Sequence, residues 1–210
     1  EIVRMLHTVI GIEAFRDGLR RYLTEQDGKA ATIEDFVGAL SAASGTDLSP
    51  FLAWYAQAGT PRVSIEQVRN GGALSLTLEQ SCAPTPGQPQ KSPFHIPLTL
   101  GLIDADGVEL DAKALQIESA ADVAPRADGL LVELKDPVTT VKIENVPEGA
   151  VLSALRGFSA PIVLTSDRTD ADLAHLVTHD TDGFSRWDAC RVLSRSMGMM
   201  IRKSPSQFTL

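Results

Sequence analysis

The sequence predicts an α+β protein in which helices at both ends flank a central antiparallel β-sandwich. Two patterns carry this prediction. Apolar residues follow the period of an amphipathic helix in residues 1–60 and again after residue 160. In residues 61–160 apolar residues occupy alternate positions in short runs. Turn residues separate these runs, a pattern that is typical of sandwich strands. We therefore expect three zones, 1–60, 61–160 and 161–210.

The first zone predicts four helices. The first ends near Gly11, where a second apolar stripe begins. Thr32 and Asp35 form a predicted capping box that opens the third helix. The fourth opens with Ser49 as N-cap and Pro50 at the first helical position, and it ends at Gly59. The four apolar faces consist of Ile2, Met5, Leu6, Val9 and Ile10; Ile12, Phe15, Leu19, Tyr22 and Leu23; Ile33, Phe36, Val37 and Leu40; and Phe51, Trp54 and Tyr55.

The middle zone predicts a hairpin followed by further short strands. Alternating apolar residues lie on both sides of Asn70-Gly71-Gly72, a sequence that favours a tight hairpin turn. The segment Ala83–Pro93 contains four prolines and is expected to be a long loop. The further strand candidates are His95–Ile103, Val108–Leu110, Gly129–Leu134, Thr139–Ile143 and Val151–Leu155.

The last zone returns to a helical pattern. Thr169 and Asp172 predict a capped helix over Ala171–Thr178. A second helix is expected over Ser185–Ser196, with Trp187, Cys190 and Leu193 on one side. Trp54 and Trp187 are interpreted as core residues.

Composition excludes several classes of protein. The chain has 210 residues, 43% of them hydrophobic, and a net charge of −8. That apolar content excludes intrinsic disorder. The acidic balance argues against nucleic acid as a partner, and no apolar run approaches the ~20 residues that span a bilayer. Cys82 and Cys190 fit a reducing compartment, with a single long-range disulfide as the alternative.

His175 and His179 form the most suggestive pair in the sequence. Their i, i+4 spacing places both imidazoles on one helix face, as zinc coordination requires. Leu176 stands where the zinc-peptidase signature H-E-x-x-H has its catalytic glutamate, and the only other histidines are His7 and His95. We therefore interpret the pair as surface or capping groups.

Other candidate groups have simpler structural interpretations. Asp104 with Asp106, and Asp170 with Asp172, have carboxylates suited to calcium, but a turn and a helix N-terminus explain them. The segment Met197–Met200 suggests packing against a partner rather than a soft-metal site. No Gly-x-Ser-x-Gly nucleophile motif occurs, and neither cysteine lies in a catalytic signature.

Several ordered motifs nevertheless resemble one family. Glu1–Leu6 resembles the end of the "YEKGAxxxxM" stretch of bacterial aminopeptidase N, a family of gluzincin zinc metallopeptidases. The similarity continues in the family's order and covers nearly the whole chain. Its remaining motifs are Asp27–Thr32, Asp35-Phe36, Trp54–Pro61 (the family's "WYxQxGTP"), the proline loop, His95-Ile96-Pro97, Phe158–Pro161 and Phe184–Ala189.

The resemblance implies a place for each zone in a larger enzyme. Residues 1–60 would be the last helices of a thermolysin-like catalytic domain, 61–160 a β-sandwich domain, and 161–210 the start of a C-terminal α-helical domain. In such an enzyme zinc polarises a water, a glutamate takes its proton, and a tyrosine stabilises the oxyanion. The zinc ligands, this glutamate and the tyrosine would lie upstream of Glu1, and further glutamates would hold the substrate amine.

On this basis the sequence assigns no catalytic, substrate-binding or metal-ligating residue to this chain. The expected function is that of a scaffold and interdomain bridge in a cytoplasmic zinc aminopeptidase, inactive alone and with zinc only in the full-length enzyme. Its expected partners are the other domains of that enzyme and peptide substrates. The alternatives are a stand-alone β-sandwich binding module with helical flanks and a small metal-dependent hydrolase built on His175 and His179.

Overall fold

Helices occupy both ends of the part of the chain that the structure describes, as predicted. The computed structural model describes residues 1–203, with side chains through residue 196. The side chains of Met197–Met200 therefore lie outside the described part. The helical elements are α1 (Ile2–Gln26), α2 (Ile33–Ser44), a 3-10 turn (Ser49–Leu52), α3 (Ala53–Ala56), a second 3-10 turn (Arg156–Phe158), α4 (Asp170–His179) and α5 (Gly183–Lys203).

Nine strands between these helices form two sheets of a sandwich. One sheet has the order β4-β7-β2-β1-β9 and the other β5-β6-β3-β8. All pairs are antiparallel except β1 with β9, which run parallel. The predicted α+β class is thus confirmed. The strands are β1 (Arg62–Asn70), β2 (Ala73–Ser81), β3 (Ile96–Ile103), β4 (Gln116–Ser119), β5 (Val123–Arg126), β6 (Gly129–Leu134), β7 (Val138–Glu144), β8 (Val151–Ala154) and β9 (Val163–Ser166).

A single apolar cluster runs through the helices of residues 1–60 and the sandwich. Alternate residues of β2 point between the two sheets, and Leu74, Leu76 and Leu78 are almost completely buried. Strand β3 is buried along its whole length, and α1 contacts it. Met5 and Leu6 of α1 are fully buried in the same cluster.

The local signals in the first zone mostly match the structure. Gly11 has a left-handed φ of 78° and kinks α1 at the predicted break. Thr32 and Asp35 form the predicted capping box at the start of α2. The fourth helix differs: it begins as the 3-10 turn Ser49–Leu52 with Leu48 rather than Ser49 as the cap, and α3 ends at Ala56 rather than at Gly59.

The second apolar stripe of α1 is only partly buried. Phe15 and Tyr22 are half-buried. Ile12, Leu19 and Leu23 are 46%, 36% and 60% exposed. The buried side after the kink instead includes Gly18, against which Leu40 of α2 packs closely. The stripe thus has one side against α2 and another that faces solvent in this chain.

The hairpin and four further strand candidates are confirmed, whereas Val108–Leu110 is wrong as a strand. In that segment Glu109 makes only an isolated bridge to Ile103. The Asp104 carboxylate instead closes a turn by accepting from the amides of Asp106 and Val108 at 3.0 and 2.8 Å. Strands β4, β5 and β9 were not predicted. They are short sheet-edge strands with mixed polar sequence, so alternation is hard to recognise there.

Helices α4 and α5 pack on the edge of the sandwich. Leu173, Leu176 and Ala189 join Ile103 and Val151 in a second apolar cluster. The capping box of Thr169 with Asp172 is present as predicted. The interpretation of Trp187 as a core residue is wrong, since its side chain is 58% exposed. No helix in the described range, 1–203, has the length and apolarity needed to cross a bilayer.

Candidate functional site: the junctions between sandwich and helices

His175 and His179 contact a turn of the sandwich. The rings lie 4.7 Å apart, and Nε2 of His175 is 2.8 Å from the carbonyl oxygen of Asp104. Because a carbonyl only accepts, this nitrogen carries the proton and is not free to bind a metal. The ring of His179 lies where a Cβ on Gly107 would stand. The two histidines therefore hold α4 against the turn before β4.

The residues present do not fit a zinc ion. Within residues 1–196, no group of three or more His, Cys, Asp or Glu side chains lies close enough to hold a metal. Cys82 and Cys190 are free thiols, so the alternative of one disulfide does not apply. Asp104 and Asp172 serve the turn and the cap that their positions predicted. The polar contacts of the described residues are instead concentrated between the zones.

A group of polar side chains that we call the proline-loop clamp, Gln57, Gln88 and Lys91, joins the end of the helical zone to the proline loop. Gln57 pairs in both directions with the backbone of Ser92, since its Nε2 donates to the carbonyl and its Oε1 accepts from the amide, each at 2.9 Å. Gln88 reaches back in the same way, donating to Ala56 O at 2.9 Å and accepting from Ala58 N at 2.8 Å.

Lys91 completes the clamp. Its ammonium donates to Ala58 O at 2.8 Å, Thr85 Oγ1 at 2.7 Å and Gln88 Oε1 at 2.9 Å. All three donors of the ammonium are therefore used within this junction. The clamp fixes the chain where the helical zone enters β1.

Gln80 holds the far end of the proline loop. Its side chain is 7% exposed, donates to Phe94 O at 2.9 Å and Asp136 O at 3.0 Å, and accepts from Phe94 N at 2.8 Å. Trp54 adds a contact from α3, because its indole Nε1 donates to His95 O at 3.0 Å. The far end of the proline loop is thus held by side chains of β2 and α3.

A buried histidine lies beneath this junction. The His95 ring stacks on Phe51 with centroids 4.4 Å apart, and its Nε2 is 2.7 Å from Glu133 Oε2. Burial opposes ionisation of Glu133, but the hydrogen bond with His95 and the neighbouring Lys135 hold its carboxyl pKa below the usual range. Lys135 also bonds Asp122 at 2.6 Å, which lowers the pKa of Asp122.

The second junction joins the sandwich to α4 and α5. Its centre is the Arg156 network, which consists of Arg156, Glu109, Asp180 and Thr181. Nη2 of Arg156 donates to Glu109 Oε2 at 3.0 Å and Thr181 Oγ1 at 2.6 Å, and lies 3.4 Å from Asp180 Oδ1. Arg156 and Asp180 are 3% and 2% exposed. Ser153 donates to the other oxygen of Asp180 at 2.5 Å.

The electrostatics of this network favour the charged forms of Glu109 and Arg156. The hydrogen bond from Arg156 is the main cause that lowers the pKa of Glu109, although burial opposes it. Burial works against the charge of Arg156, yet Glu109 and Asp180 raise its pKa above the usual value. The guanidinium also needs room, because a Cβ on Gly101 would stand 2.6 Å from its Nη1.

Arg4 connects α1 to the same place. Its guanidinium donates to the carbonyl of Gly157 at 2.8 Å and to that of Phe158, and it lies 5.7 Å from the centroid of the Phe158 ring. Leu155 and Phe158, on either side of Arg156, have left-handed φ values of 62° and 54°. Such conformations are costly for residues other than glycine, so the surrounding contacts must hold the turn. All three zones therefore meet at Arg156–Phe158.

Two family models match successive stretches of the chain. Residues 1–55 match the peptidase family M1 domain, and residues 59–167 match a domain of unknown function with an Ig-like fold. Aminopeptidase N of Caulobacter vibrioides is 45% identical over 94% of this chain and 21% of its own length. The Escherichia coli enzyme of the same name is 36% identical over 92% of this chain and 21% of its own length. The chain belongs to the aminopeptidase N family.

Solved structures agree with this family. A Legionella pneumophila aminopeptidase A, crystallised in complex with aspartic acid, has a TM-score of 0.74 and 28% identity over 91% of this chain and 20% of that one. The chain thus spans about a fifth of the length of the aminopeptidase N relatives it matches. The comparisons do not favour the alternative of a stand-alone binding module. The third alternative, a hydrolase built on His175 and His179, lacks a metal cluster in the described side chains.

The polar residues at the two junctions were not found from the sequence. Gln57 was recognised only as one position of the family motif "WYxQxGTP". Neither Arg156 nor Asp180 was predicted to have a structural or functional role. The only local signal for Asp180 is the polar run Asp180-Thr181-Asp182 between two helices, in which Asp182 accepts from the Ser185 amide at 2.7 Å.

Proposed function

We propose that this chain is a segment of a zinc-dependent aminopeptidase that removes N-terminal amino acids from peptides. The observation that carries the proposal is the tandem arrangement in one chain of a peptidase M1 match over 1–55 and an Ig-like match over 59–167. Relatives called aminopeptidase N match both parts in the same order across more than nine-tenths of the chain.

The role proposed for this segment is structural. The proline-loop clamp holds the helical zone to the sandwich, and the Arg156 network holds the sandwich to α4 and α5. Arg4 links the helices of residues 1–60 directly to the second junction. A segment built in this way would fix the distance and angle between the catalytic and C-terminal domains. It would supply no metal ligand, so we propose that it is inactive alone and binds no zinc.

The proposal also covers domain limits, partners and location. Residues 1–60 would end the catalytic domain, 61–160 would form the sandwich domain, and 161–210 would open the C-terminal helical domain. Its partners would be the remaining domains, with peptides as substrates of the whole enzyme and no role for nucleic acid or membrane. The free thiols Cys82 and Cys190 support a cytoplasmic, reducing location.

The coding sequence upstream of Glu1 tests the proposal. We expect it to encode an H-E-x-x-H motif and a further glutamate in the same reading frame, because that set supplies the ligands and base of a zinc peptidase. An upstream frame that encodes a complete domain of another kind, without that motif, would contradict the proposal.

A further inference from the structure

The turn of the first hairpin, between β1 and β2, begins with an exposed asparagine. Asn70 is the last residue of β1 and pairs with Ala73, so Gly71 and Gly72 alone connect the two strands. Both glycines have left-handed φ values, 58° and 88°, which match a two-residue type I′ turn. Asn70, Gly71 and Gly72 are all exposed. The hairpin therefore presents an asparagine-glycine pair to solvent.

An asparagine followed by glycine is chemically reactive. The backbone nitrogen of the glycine attacks Cγ of the asparagine side chain and closes a five-membered succinimide ring. The N–Cγ bond forms as the Cγ–Nδ2 bond breaks, and the backbone amide proton leaves with Nδ2 in ammonia. Water then opens the ring, giving aspartate by hydrolysis at Cγ or isoaspartate by hydrolysis at the main-chain carbonyl. Glycine favours ring closure because it has no Cβ to hinder its nitrogen.

The nitrogen that would attack is free in this turn. The Gly71 amide lies outside the β1–β2 ladder, and within residues 1–203 it donates no hydrogen bond to another backbone group. A Cβ built on Gly71 would have no atom within 4 Å apart from its chain neighbours, so the described chain leaves space around this residue. Within that part of the chain, no contact of the Gly71 amide has to break before its nitrogen approaches Cγ of Asn70.

Asn145, the only other asparagine of the chain, differs in each of these respects. The residue after it is Val146, whose β-branched side chain crowds the backbone nitrogen. That nitrogen also donates to Gly72 O at 2.8 Å. The Nδ2 atom of Asn145 donates to Gln116 Oε1 at 3.2 Å, whereas the described side chains give the amide of Asn70 no partner. The chain thus contains one free and one restrained asparagine.

We propose that Asn70 is a site of spontaneous deamidation, in which Gly71 supplies the attacking nitrogen and aspartate and isoaspartate are the products. The change affects a contact within the sandwich, because Gly72 O accepts from Val146 N in the connection between β7 and β8. Isoaspartate lengthens the main chain of the turn by one carbon and so displaces Gly72 O from Val146 N. Either product adds a negative charge to a chain whose net charge is already −8.

Ageing of the folded chain, followed by mass spectrometry of its peptides, tests the proposal. The chain would be kept in neutral and in mildly alkaline buffer, with a parallel sample unfolded in guanidinium chloride. The Asn70 peptide should gain the amide-to-acid mass difference, faster in alkaline buffer because the backbone nitrogen attacks after losing its proton. The Asn145 peptide should convert at least about tenfold more slowly, since its nucleophile must first give up a hydrogen bond. Isomerisation at an Asp-Gly pair such as Asp106-Gly107 releases no ammonia, so the mass gain reports asparagine alone.

Variants connect the reaction to its effect on the turn. Isoaspartate, measured by enzymatic methylation of its carboxylate, should accumulate with age in the unchanged protein and in the matched control Asn145→Gln, but much less in Asn70→Gln. Hydrogen exchange of the Val146 amide should accelerate in the aged protein and not in Asn70→Asp, which adds the charge without lengthening the chain.

Three results would overturn the proposal. The first is a mass gain of the Asn70 peptide only after unfolding, which would show that the paired hairpin prevents ring closure. The second is conversion of Asn70 in the folded chain that is no faster than that of Asn145. The third is equal accumulation of isoaspartate in Asn70→Gln and in the unchanged protein.

Discussion

The Nη2 atom of Arg156 lies 3.4 Å from Oδ1 of Asp180, and both side chains are buried where the sandwich meets α4 and α5. Glu109, in the loop after β3, accepts a hydrogen bond from the same Nη2 atom. The pair therefore joins two parts of the chain whose relative position the proposed scaffold role requires to be fixed. A buried pair of this kind is strongly destabilised when only one partner is removed.

Arg156→Met should lower the free energy of unfolding by about 3–5 kcal/mol, because Asp180 would remain buried without its cation. Urea unfolding followed by circular dichroism measures this loss. Arg16→Met is the matched control, since Arg16 is exposed and its Nη1 lies 3.5 Å from Oε1 of the exposed Glu13. This control should change the free energy of unfolding by less than about 0.5 kcal/mol. Equal losses in the two variants would contradict the role given to the network.

Gln57→Ala and Gln88→Ala should each lower stability by about 1 kcal/mol, the usual contribution of a hydrogen-bonding side chain. The effect should be local as well. Amide exchange of Ser92 should accelerate in the first variant and that of Ala58 in the second, because each amide loses its acceptor. Hydrogen exchange read by NMR measures both, with Gln90→Ala as the control in the same loop. If the control accelerates these amides equally, the clamp does not act through these bonds.

Stability should fall in acid because of Glu109, Asp122 and Glu133. Their carboxyl pKa values lie below the usual range in the folded protein, so the folded state binds protons less readily than the unfolded chain. The stabilisation is present above the unfolded pKa of about 4 and is lost as the pH falls through the lowered folded values.

Glu133→Gln should therefore reduce the acid-induced loss of stability, which urea unfolding measures between about pH 6 and pH 3. The groups around Glu133 are His95, Lys135 and Asp122. Glu79→Gln, at an exposed position on β2, is the control and should leave the pH dependence as it is. If the free energy of unfolding of the Glu133 variant falls with pH as steeply as that of the unchanged protein, this carboxylate does not contribute to the acid-induced loss of stability.

The exposed side of α1 should make this chain self-associate. Ile12, Leu19 and Leu23 lie on one helix face and are each at least 36% exposed. Static light scattering should show a mass that rises with concentration, together with binding of a hydrophobic dye. The double change Leu19→Glu and Leu23→Glu should reduce both, whereas Val68→Glu on β1 should not. A monomer at every concentration that does not bind dye would contradict this expectation.

Local signals predicted the fold well, because they act over a few residues. The capping boxes of Thr32 and Thr169, the break at Gly11 and the Gly71-Gly72 turn are each complete within one short segment. The buried face was harder to predict. Apolar periodicity identifies a helix face but cannot distinguish a side that meets α2 from one that remains exposed, as Leu19 and Leu23 do.

The junctions could not be predicted, because their partners lie far apart in the sequence. Arg156 is 47 residues from Glu109 and 24 from Asp180, and Gln57 is 35 residues from Ser92. Nothing in the local sequence around Arg156 indicates that its side chain is buried. At His175 and His179 the local spacing suggested a metal site. The structure shows instead that this pair contacts the turn at Asp104, which is distant in the sequence.

We propose that this chain contributes scaffold, and not the catalytic centre, to a zinc aminopeptidase. The most direct test incubates the purified chain and the polypeptide of the intact gene with zinc, then measures bound zinc and hydrolysis of an alanyl chromogenic amide. Stoichiometric zinc and turnover are expected for the intact polypeptide and neither for this chain. Stoichiometric zinc and turnover by this chain alone, lost on His175→Ala or His179→Ala, would contradict it.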